Sequence, residues 1–269
     1  MAFSGARVLS LESRRAAEMA ELIRINGGEP FVAPAVVEVP LENNGEAFSF
    51  AEALFSGRFD MMILLTGVGT RLLDRTLATR YPEDRFRQAL RGLTVVARGP
   101  KPMAVLRDWG ITGAIMVPEP NTWREVLASI EARTEKSVAV QEYGKHSPEL
   151  IDGLKAQGRT VALVPVYQWK FPDNTKPLEE ALDRLLAGDV DAALFTTSVQ
   201  LDHLLEMAER SGRRAEALSA LGRIYIASIG PTCSETLRSY GLKPAIEPSH
   251  PKMGLLVREA AMDFSLGSK

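Results

Sequence analysis

An internal echo at a fixed spacing of 131 residues constrains this chain more than any other feature. The stretch Arg98-Gly99-Pro100-Lys101-Pro102, running on to Trp109-Gly110, lines up with Ile229-Gly230-Pro231-Thr232-Cys233, running on to Tyr240-Gly241. At that offset Gly99 meets Gly230, Pro100 meets Pro231, Leu106 meets Leu237, Arg107 meets Arg238 and Gly110 meets Gly241. The register holds upstream, where Gly57 meets Gly188, Asp60 meets Asp191, Thr66 meets Thr197, Gly27 meets Gly158 and Pro34 meets Pro165. Glycine and proline set backbone turns, so their recurrence at one spacing predicts a recurring chain path. Two lengths of 131 account for all but seven of the 269 residues. The period is domain-sized and far too long for a solenoid repeat. We read the chain as a tandem duplication.

The second copy of the echo gives the character of the unit. Ile224 to Ile229 is an apolar, partly β-branched strand, and Gly230 permits a sharp turn. Thr232 with Glu235 three residues later reads as a capping box, which predicts Thr232 as a helix N-cap. Leu237 and Tyr240 keep helical spacing, and Gly241 supplies the stop. A strand that enters a helix through glycine leaves unpaired N–H groups facing outward, which suits an anion.

The same alternation runs through the rest of the chain. Val8 to Leu11 reads as a strand, followed by a helix from Arg14 to Asn26 capped by Ser13. Phe31 to Val39 reads as extended around Pro34, and Phe48 to Ser56 as a helix. Met61 to Leu65 is unbroken apolar sequence, as expected of a strand buried on both faces of a parallel sheet. Thr66-Gly67-Val68-Gly69-Thr70 turns into a helix carrying Leu72, Leu73 and Leu77. Leu93 to Ala97 is the next strand, and Thr122 opens a helix to about Glu131. In the second copy Val138 to Val140, Val161 to Trp169 and Ala192 to Phe195 are extended. Helices follow from Ser147-Pro148-Glu149, over Leu178 to Leu186 and over Val199 to Arg210.

Strand–helix alternation predicts an α/β fold with two similar domains of mostly parallel sheet flanked by helices. Ligands in such sheets bind beyond the strand C-termini. The loops at Thr66, Gly99, Tyr143, Thr197 and Gly230 fall there, and a cleft between two such domains is the default site. From the repeats alone the domain boundary belongs near Arg133-Thr134-Glu135.

Composition narrows the function. A net charge of −2 gives no broad electrostatic case for nucleic acid. One cysteine, Cys233, excludes an intrachain disulfide and suits a reducing compartment. Met1 to Arg15 lacks the apolar core of a signal peptide, and Met61 to Leu65 is too short to span a bilayer. A cytoplasmic protein without membrane partners is expected. His146, His203 and His250 share no ligand spacing, so no metal site is expected. Gly67-Val68-Gly69 lacks the third glycine and the distant acid of a dinucleotide fingerprint. Neither a Walker lysine nor a Gly-x-Ser-x-Gly elbow is present. Cys233, near a helix start, reads either as an activated thiol or, more plainly, as a small residue filling a helix turn.

Chemistry on an asymmetric substrate must use positions where the copies differ. Tyr167 faces Val36 across the offset, Lys101 faces Thr232, Ser198 faces Gly67 and Arg71 faces Asp202. Tyr167, in Val164-Pro165-Val166-Tyr167-Gln168-Trp169, reads either as a proton donor on an apolar body or as a strand aromatic that only packs.

Together these stretches resemble the uroporphyrinogen-III synthase family. The resemblance rests on Ile229-Gly230-Pro231-Thr232, Leu194-Phe195-Thr196-Thr197-Ser198 and Val164-Pro165-Val166-Tyr167. It also rests on Leu65-Thr66-Gly67-Val68-Gly69-Thr70-Arg71 and Ala97-Arg98-Gly99-Pro100-Lys101-Pro102; the resemblance covers nearly the whole chain, and the order and spacing of these stretches carry it. It implies two α/β domains joined by a two-stranded β-ladder, with the active site in the cleft between them. The first domain would hold residues 1–36 and 173–269, the second residues 37–172, with Ala35 to Pro40 and Val166 to Pro172 as the ladder.

The implied reaction closes the linear tetrapyrrole hydroxymethylbilane to uroporphyrinogen III, inverting ring D and losing water. No metal or organic cofactor and no macromolecular partner is implied, and a monomer is expected. Tyr167 matches the family's tyrosine for hydroxyl departure, and Thr197, Ser198, Gly230 and Thr232 match its ligand-side loops. In the first copy Thr66, Gly67 and Gly99 hold the corresponding places, and Tyr143 lies at another strand end. Where many members carry Ser-Pro after the first threonine this chain has Gly67-Val68, and Pro102 stands where many carry threonine. Those hydroxyls are absent, so backbone N–H groups or Lys101 would serve instead. The substrate has eight carboxylates, so Arg14, Arg71, Arg98 and Lys101 read as candidate clamps or as solvated surface charges. Two other classes share the architecture. One is a non-catalytic two-domain binding protein for a small polyanion; the other is a glycosyltransferase-like enzyme, for which no diphosphate site is evident.

Overall fold

Strands and helices follow one another through the computed structural model, which describes residues 2–40, 45–142, 144 and 147–267. The chain opens with β1 (Arg7–Ser10), α1 (Ala16–Ile25), β2 (Glu29–Val32) and β3 (Val37–Pro40). It continues through α2 (Gly45–Phe55), β4 (Met61–Leu64), α3 (Gly67–Ala78), α4 (Arg85–Arg91), β5 (Thr94–Ala97) and α5 (Pro100–Asp108). Next come β6 (Ile115–Met116), α6 (Trp123–Ile130), β7 (Ser137–Gln141), α7 (Pro148–Ala156), β8 (Thr160–Val164) and β9 (Tyr167–Lys170). The last stretch carries α8 (Lys176–Ala187), β10 (Ala192–Phe195), α9 (Ser198–Arg210), α10 (Arg214–Leu221), β11 (Tyr225–Ser228), α11 (Pro231–Ser239) and α12 (Met253–Gly267).

The chain divides into two units, one of residues 1–37 with 170–269 and one of residues 38–169. The first unit holds a parallel sheet in the order β11-β10-β1-β2, extended beyond β11 by a parallel bridge from Ala227 to Ile246. The second holds a parallel sheet in the order β6-β5-β4-β7-β8. Strands β3 and β9 pair with each other as a separate two-stranded sheet. Moving the first residues of β4, α3, β5 and α5 forward by 131 lands on the first residues of β10, α9, β11 and α11. The same shift carries the start of β2 to that of β8 and the start of α2 to that of α8.

Alternating side chains explain why Met61 to Leu65 is apolar throughout. Met62 and Leu64 join one core with Phe50, Leu54, Leu73, Leu77 and Leu106. Met61, Ile63 and Leu65 face the other way into a core with Val126, Ile130, Leu150 and Leu154. A strand covered by helices on both faces has no polar side to show. In the first unit Val8, Ala192, Leu194 and Ala227 pack with Met19 and Ile23 of α1 and with Leu256, Val257 and Ala260 of α12.

Two expected helix starts move. Helix α11 begins at Pro231 with Gly230 as N-cap, so Thr232 is an exposed first-turn residue and not the cap. Proline sets φ in advance for the first helical position and draws the start two residues upstream. Helix α1 begins at Ala16 behind Arg15, because the Ser13 hydroxyl is engaged elsewhere, accepting from the Val36 N–H at 3.1 Å. Pro34 divides the extended segment into β2 and β3, which join different sheets.

Candidate functional site

In each sheet the order of strands reverses direction at one point. In the second unit the chain runs outward from β4 through β5 to β6, then returns to place β7 and β8 on the other side. The switch therefore lies between β4 and β7, and crevices beyond the carboxyl ends at such points are where α/β sheets bind ligands. The first unit has its switch between β1 and β10.

At the second unit's switch, β4 runs out into Thr66, the N-cap of α3. Its hydroxyl accepts from the Gly69 N–H at 3.0 Å, and its carbonyl accepts from the Thr70 N–H at 3.0 Å and the Thr70 hydroxyl at 2.7 Å. The Thr66 hydroxyl also lies 3.5 Å from the Tyr167 hydroxyl, the outer limit of a hydrogen bond. Tyr167 is 3% exposed, and its ring meets Trp169 edge-on at 5.6 Å. The structure thus brings Tyr167 and Thr66 together from positions 101 residues apart.

A residue missed by sequence reasoning completes this corner. Gln141, the last residue of β7, is fully buried, and its Oε1 accepts from the Thr66 N–H at 3.2 Å. Its Nε2 donates to the Glu142 carbonyl. Gly69 makes room for this amide, since a β-carbon there would run into the Gln141 side chain. The signal was present in the 131-residue register, where Gly69 faces Gln200 and Gln141 faces Ser10.

The neighbouring loop is held just as tightly. The Arg98 N–H donates to the Leu64 carbonyl at 3.0 Å, tying the end of β5 to β4. With its amide turned to satisfy both acceptors, Asn121 donates to the Arg98 carbonyl at 2.8 Å and the Val117 carbonyl at 3.1 Å. Gly99 is the N-cap of α5, and a β-carbon on it would lie 2.6 Å from the Asn121 amide. Gly67 packs on the backbone of Lys101, whose side chain is exposed. Arg71 is exposed and forms an ion pair with Asp108 at 2.6 Å, joining α3 to α5. Tyr143 lies outside the described residues.

In the first unit Thr197 is the N-cap of α9, and Ser198 behind it is buried. Gln200, 1% exposed, accepts from the Thr196 N–H at 2.9 Å and the Thr197 N–H at 3.4 Å, and donates to the Thr196 hydroxyl at 2.8 Å. That hydroxyl donates to Glu12 at 2.5 Å, beyond the end of β1. Arg14, two residues on, is exposed. Gly230 is buried in the turn after β11, where its N–H donates to the Ser228 hydroxyl at 3.4 Å. Cys233 is buried, with burial pushing its thiol up to about 11, so it is a packing residue rather than an activated thiol.

Among the described residues no group of three or more His, Cys, Asp and Glu is placed to hold a metal ion. No helix among them is long and apolar enough to cross a membrane. His203 is a buried structural group, its Nδ1 2.7 Å from the Ala35 carbonyl and its ring stacked on Phe171 at 4.6 Å. A groove of about 1050 Å³ in the second unit runs along α2 and β8, lined by Glu46, Arg58, Glu142 and Leu163 among others. Pro165 lines it, but none of the candidate catalytic or substrate-binding residues does, so the switch-point loops remain the better candidate.

Comparison with known proteins points to one family. The family model for uroporphyrinogen-III synthase HemD matches residues 17–258. A relative in Methanothermobacter thermautotrophicus, described as a putative uroporphyrinogen-III synthase, is 28% identical over 260 residues, 94% of this chain and 95% of its own. Another, the uncharacterized protein YjjA of Bacillus subtilis, is 29% identical over 263 residues, 96% of this chain and 95% of its own. Among solved structures, a mutant uroporphyrinogen III synthase from the extremely thermophilic bacterium Thermus thermophilus is similar with a TM-score of 0.76 at 24% identity. The match covers 98% of this chain and all of that one. The Helicobacter pylori enzyme is similar with a TM-score of 0.53 at 16% identity over the same shares. At these identities the structural likeness speaks for the fold.

Proposed function

The chain belongs to the uroporphyrinogen-III synthase family, and we propose that it is a hydro-lyase closing hydroxymethylbilane to uroporphyrinogen III, with inversion of ring D and loss of water. The observation that carries this reading is the meeting of the Tyr167 and Thr66 hydroxyls at the carboxyl end of β4, beside the switch point.

The reaction needs a proton for the departing hydroxyl and control over how the chain closes. A pyrrole nitrogen lone pair pushes the terminal hydroxyl out, and the hydroxyl leaves as water once protonated. The ring D α-carbon that already carries the methylene bridge to ring C attacks the resulting azafulvene. In the spiro intermediate the bond to that bridge breaks, and the bridge re-forms at the other α-carbon of ring D, which loses its proton. Tyr167 supplies the proton from a buried phenol whose hydroxyl is held near Thr66. The loop ends at Thr66, Gly67, Gly99, Thr197, Ser198, Gly230 and Thr232 form the rim that takes substrate carboxylates, Thr66 and Thr197 through their hydroxyl groups, since Gln141 and Gln200 already hold their N–H groups. Arg14, Arg71, Arg98 and Lys101 add positive charge. Tyr143 follows the end of β7 and joins this set. In this reading the protein works as a cytoplasmic monomer without a cofactor, in tetrapyrrole biosynthesis.

Freshly made hydroxymethylbilane, incubated with the protein and oxidised, gives porphyrins that chromatography separates into isomers I and III. Isomer III rising in proportion to protein supports the reading. Binding with only isomer I formed would leave a non-catalytic polyanion binder.

A further inference from the structure

The two switch points are braced by the same chemical group delivered from different elements. In the second unit the amide comes from the strand, where Gln141 of β7 accepts from Thr66 N–H. In the first unit it comes from the helix, where Gln200 of α9 accepts from Thr196 and Thr197 N–H. The partner position shrinks each time. Gly69 stands where Gln200 would be repeated, and Ser10 stands where Gln141 would be. The second unit has space for one such amide, since a side chain at Gly69 would collide with Gln141.

We infer that Gln141 is a positioning residue, which fixes the Thr66 N-cap and through it the hydroxyl facing Tyr167, and that Gln200 does the corresponding work at Thr197. Several constraints converge on Thr66. Its N–H is held by Gln141, its hydroxyl by Gly69 N–H, and its carbonyl by Thr70. With backbone and hydroxyl fixed, little freedom remains for the contact to Tyr167. Gln141 is fully buried, so it acts through Thr66. Loss of its amide would leave the Thr66 N–H facing an apolar side chain, which costs more than the hydrogen bond contributes. The kinetic part of this inference rests on the proposed reaction; the part concerning Thr66 does not.

The test uses the full chain and two variants. Gln141→Met keeps the length of the side chain and removes both hydrogen bonds. The pair Gly69→Gln with Gln141→Ser moves the amide from strand to helix, copying the first unit. Amide hydrogen exchange at Thr66 is measured without substrate, and kcat and KM with hydroxymethylbilane. Gln141→Met is expected to speed Thr66 exchange about tenfold and lower kcat about tenfold, with KM within about twofold. The double variant is expected to recover Thr66 protection and most of kcat relative to Gln141→Ser alone. Unchanged Thr66 exchange in Gln141→Met, or a double variant no better than Gln141→Ser, overturns the inference. Faster exchange with wild-type kcat overturns the kinetic part, leaving Gln141 a brace for Thr66 that the reaction does not need. Should the wild type make no isomer III, the proposed reaction fails, and the exchange measurements still decide whether Gln141 positions Thr66.

Discussion

Gly67 and Lys101 stand so close that a β-carbon on the glycine would lie 2.7 Å from the lysine's carbonyl oxygen. This contact sets the first turn of α3 against the first turn of α5. The obstruction is backbone, which cannot swing away as a flexible side chain would.

Gly67→Ala is therefore expected to destabilise the second unit by about 1–3 kcal/mol, the usual cost of forcing extra volume into a packed contact. Chemical denaturation gives the value. A midpoint equal to that of the wild type would mean that the two loops are more loosely held than the structure has them. The first unit carries Ser198 at the equivalent position, so a β-carbon is accommodated there.

Much of this arrangement was legible in the sequence because it is written in local terms. An unbroken apolar run such as Met61 to Leu65 has few solutions other than a doubly covered strand. Turn glycines at one offset mark where strands and helices begin. The errors have a common physical origin. Thr232 carried a sound local capping signal, yet Pro231 was the stronger one. Ser13 looked like a cap because nothing near it announces that Val36, 23 residues away, takes its hydroxyl. Gln141 escaped local pattern for the same reason: its partner Thr66 is 75 residues distant, and a polar residue at a strand end has no local signature, so its only trace lay in the comparison of the two copies. Local pattern predicts elements well, while side chains that brace loops across a sheet are decided by tertiary contact.

Arg71 offers a test of the charge reading. Its ion pair with Asp108 is exposed on both sides, so breaking it is expected to change stability little. If Arg71 also meets substrate carboxylates, Arg71→Ala raises KM several-fold with kcat nearly unchanged, because the contact is shared by ground and transition states. Asp108→Ala removes a competing carboxylate and is expected to hold or lower KM. Steady-state kinetics of the two variants settle the matter, and equal KM values in both would assign Arg71 to the solvated surface.

Acid sensitivity is expected at the other end of the second unit's sheet. Glu135 accepts from Arg133 at 2.6 Å and from the Thr94 hydroxyl at 2.5 Å, and these bonds, Arg133 first, hold its carboxyl down to about 2. A carboxylate depressed in the folded state adds stability above its unfolded pKa, about 4.3, and loses it as pH falls towards the folded value. Glu135→Gln is expected to cost about 1 kcal/mol at neutral pH, the lower range for a charge-assisted bond with a half-exposed arginine. The gap to the wild type should close between about pH 4.3 and pH 2. Parallel denaturation curves with a constant gap across that window would show that the carboxylate charge is not what matters.

Tyr167 carries the chemistry in the proposed reaction, and its surroundings sharpen what its loss should do. The ring is buried against Trp169 and the hydroxyl points at Thr66. Tyr167→Phe keeps the packing and removes the donor. The pyrrole nitrogens already push the hydroxyl out, so general acid help belongs near the lower end of its usual range, about 10²-fold. A fall in kcat of that order is expected, with KM little changed and isomer III still dominant among products formed on the protein. Thr66→Val separates donation from positioning, because it keeps the phenol and removes its neighbour together with the α3 cap. It should lower both kcat and stability, by about 1 kcal/mol for the lost cap. Wild-type kcat in Tyr167→Phe would remove the phenol from the reaction. Loss of isomer III at unchanged turnover would make the phenol a group that shapes how the substrate folds, with the proton coming from elsewhere.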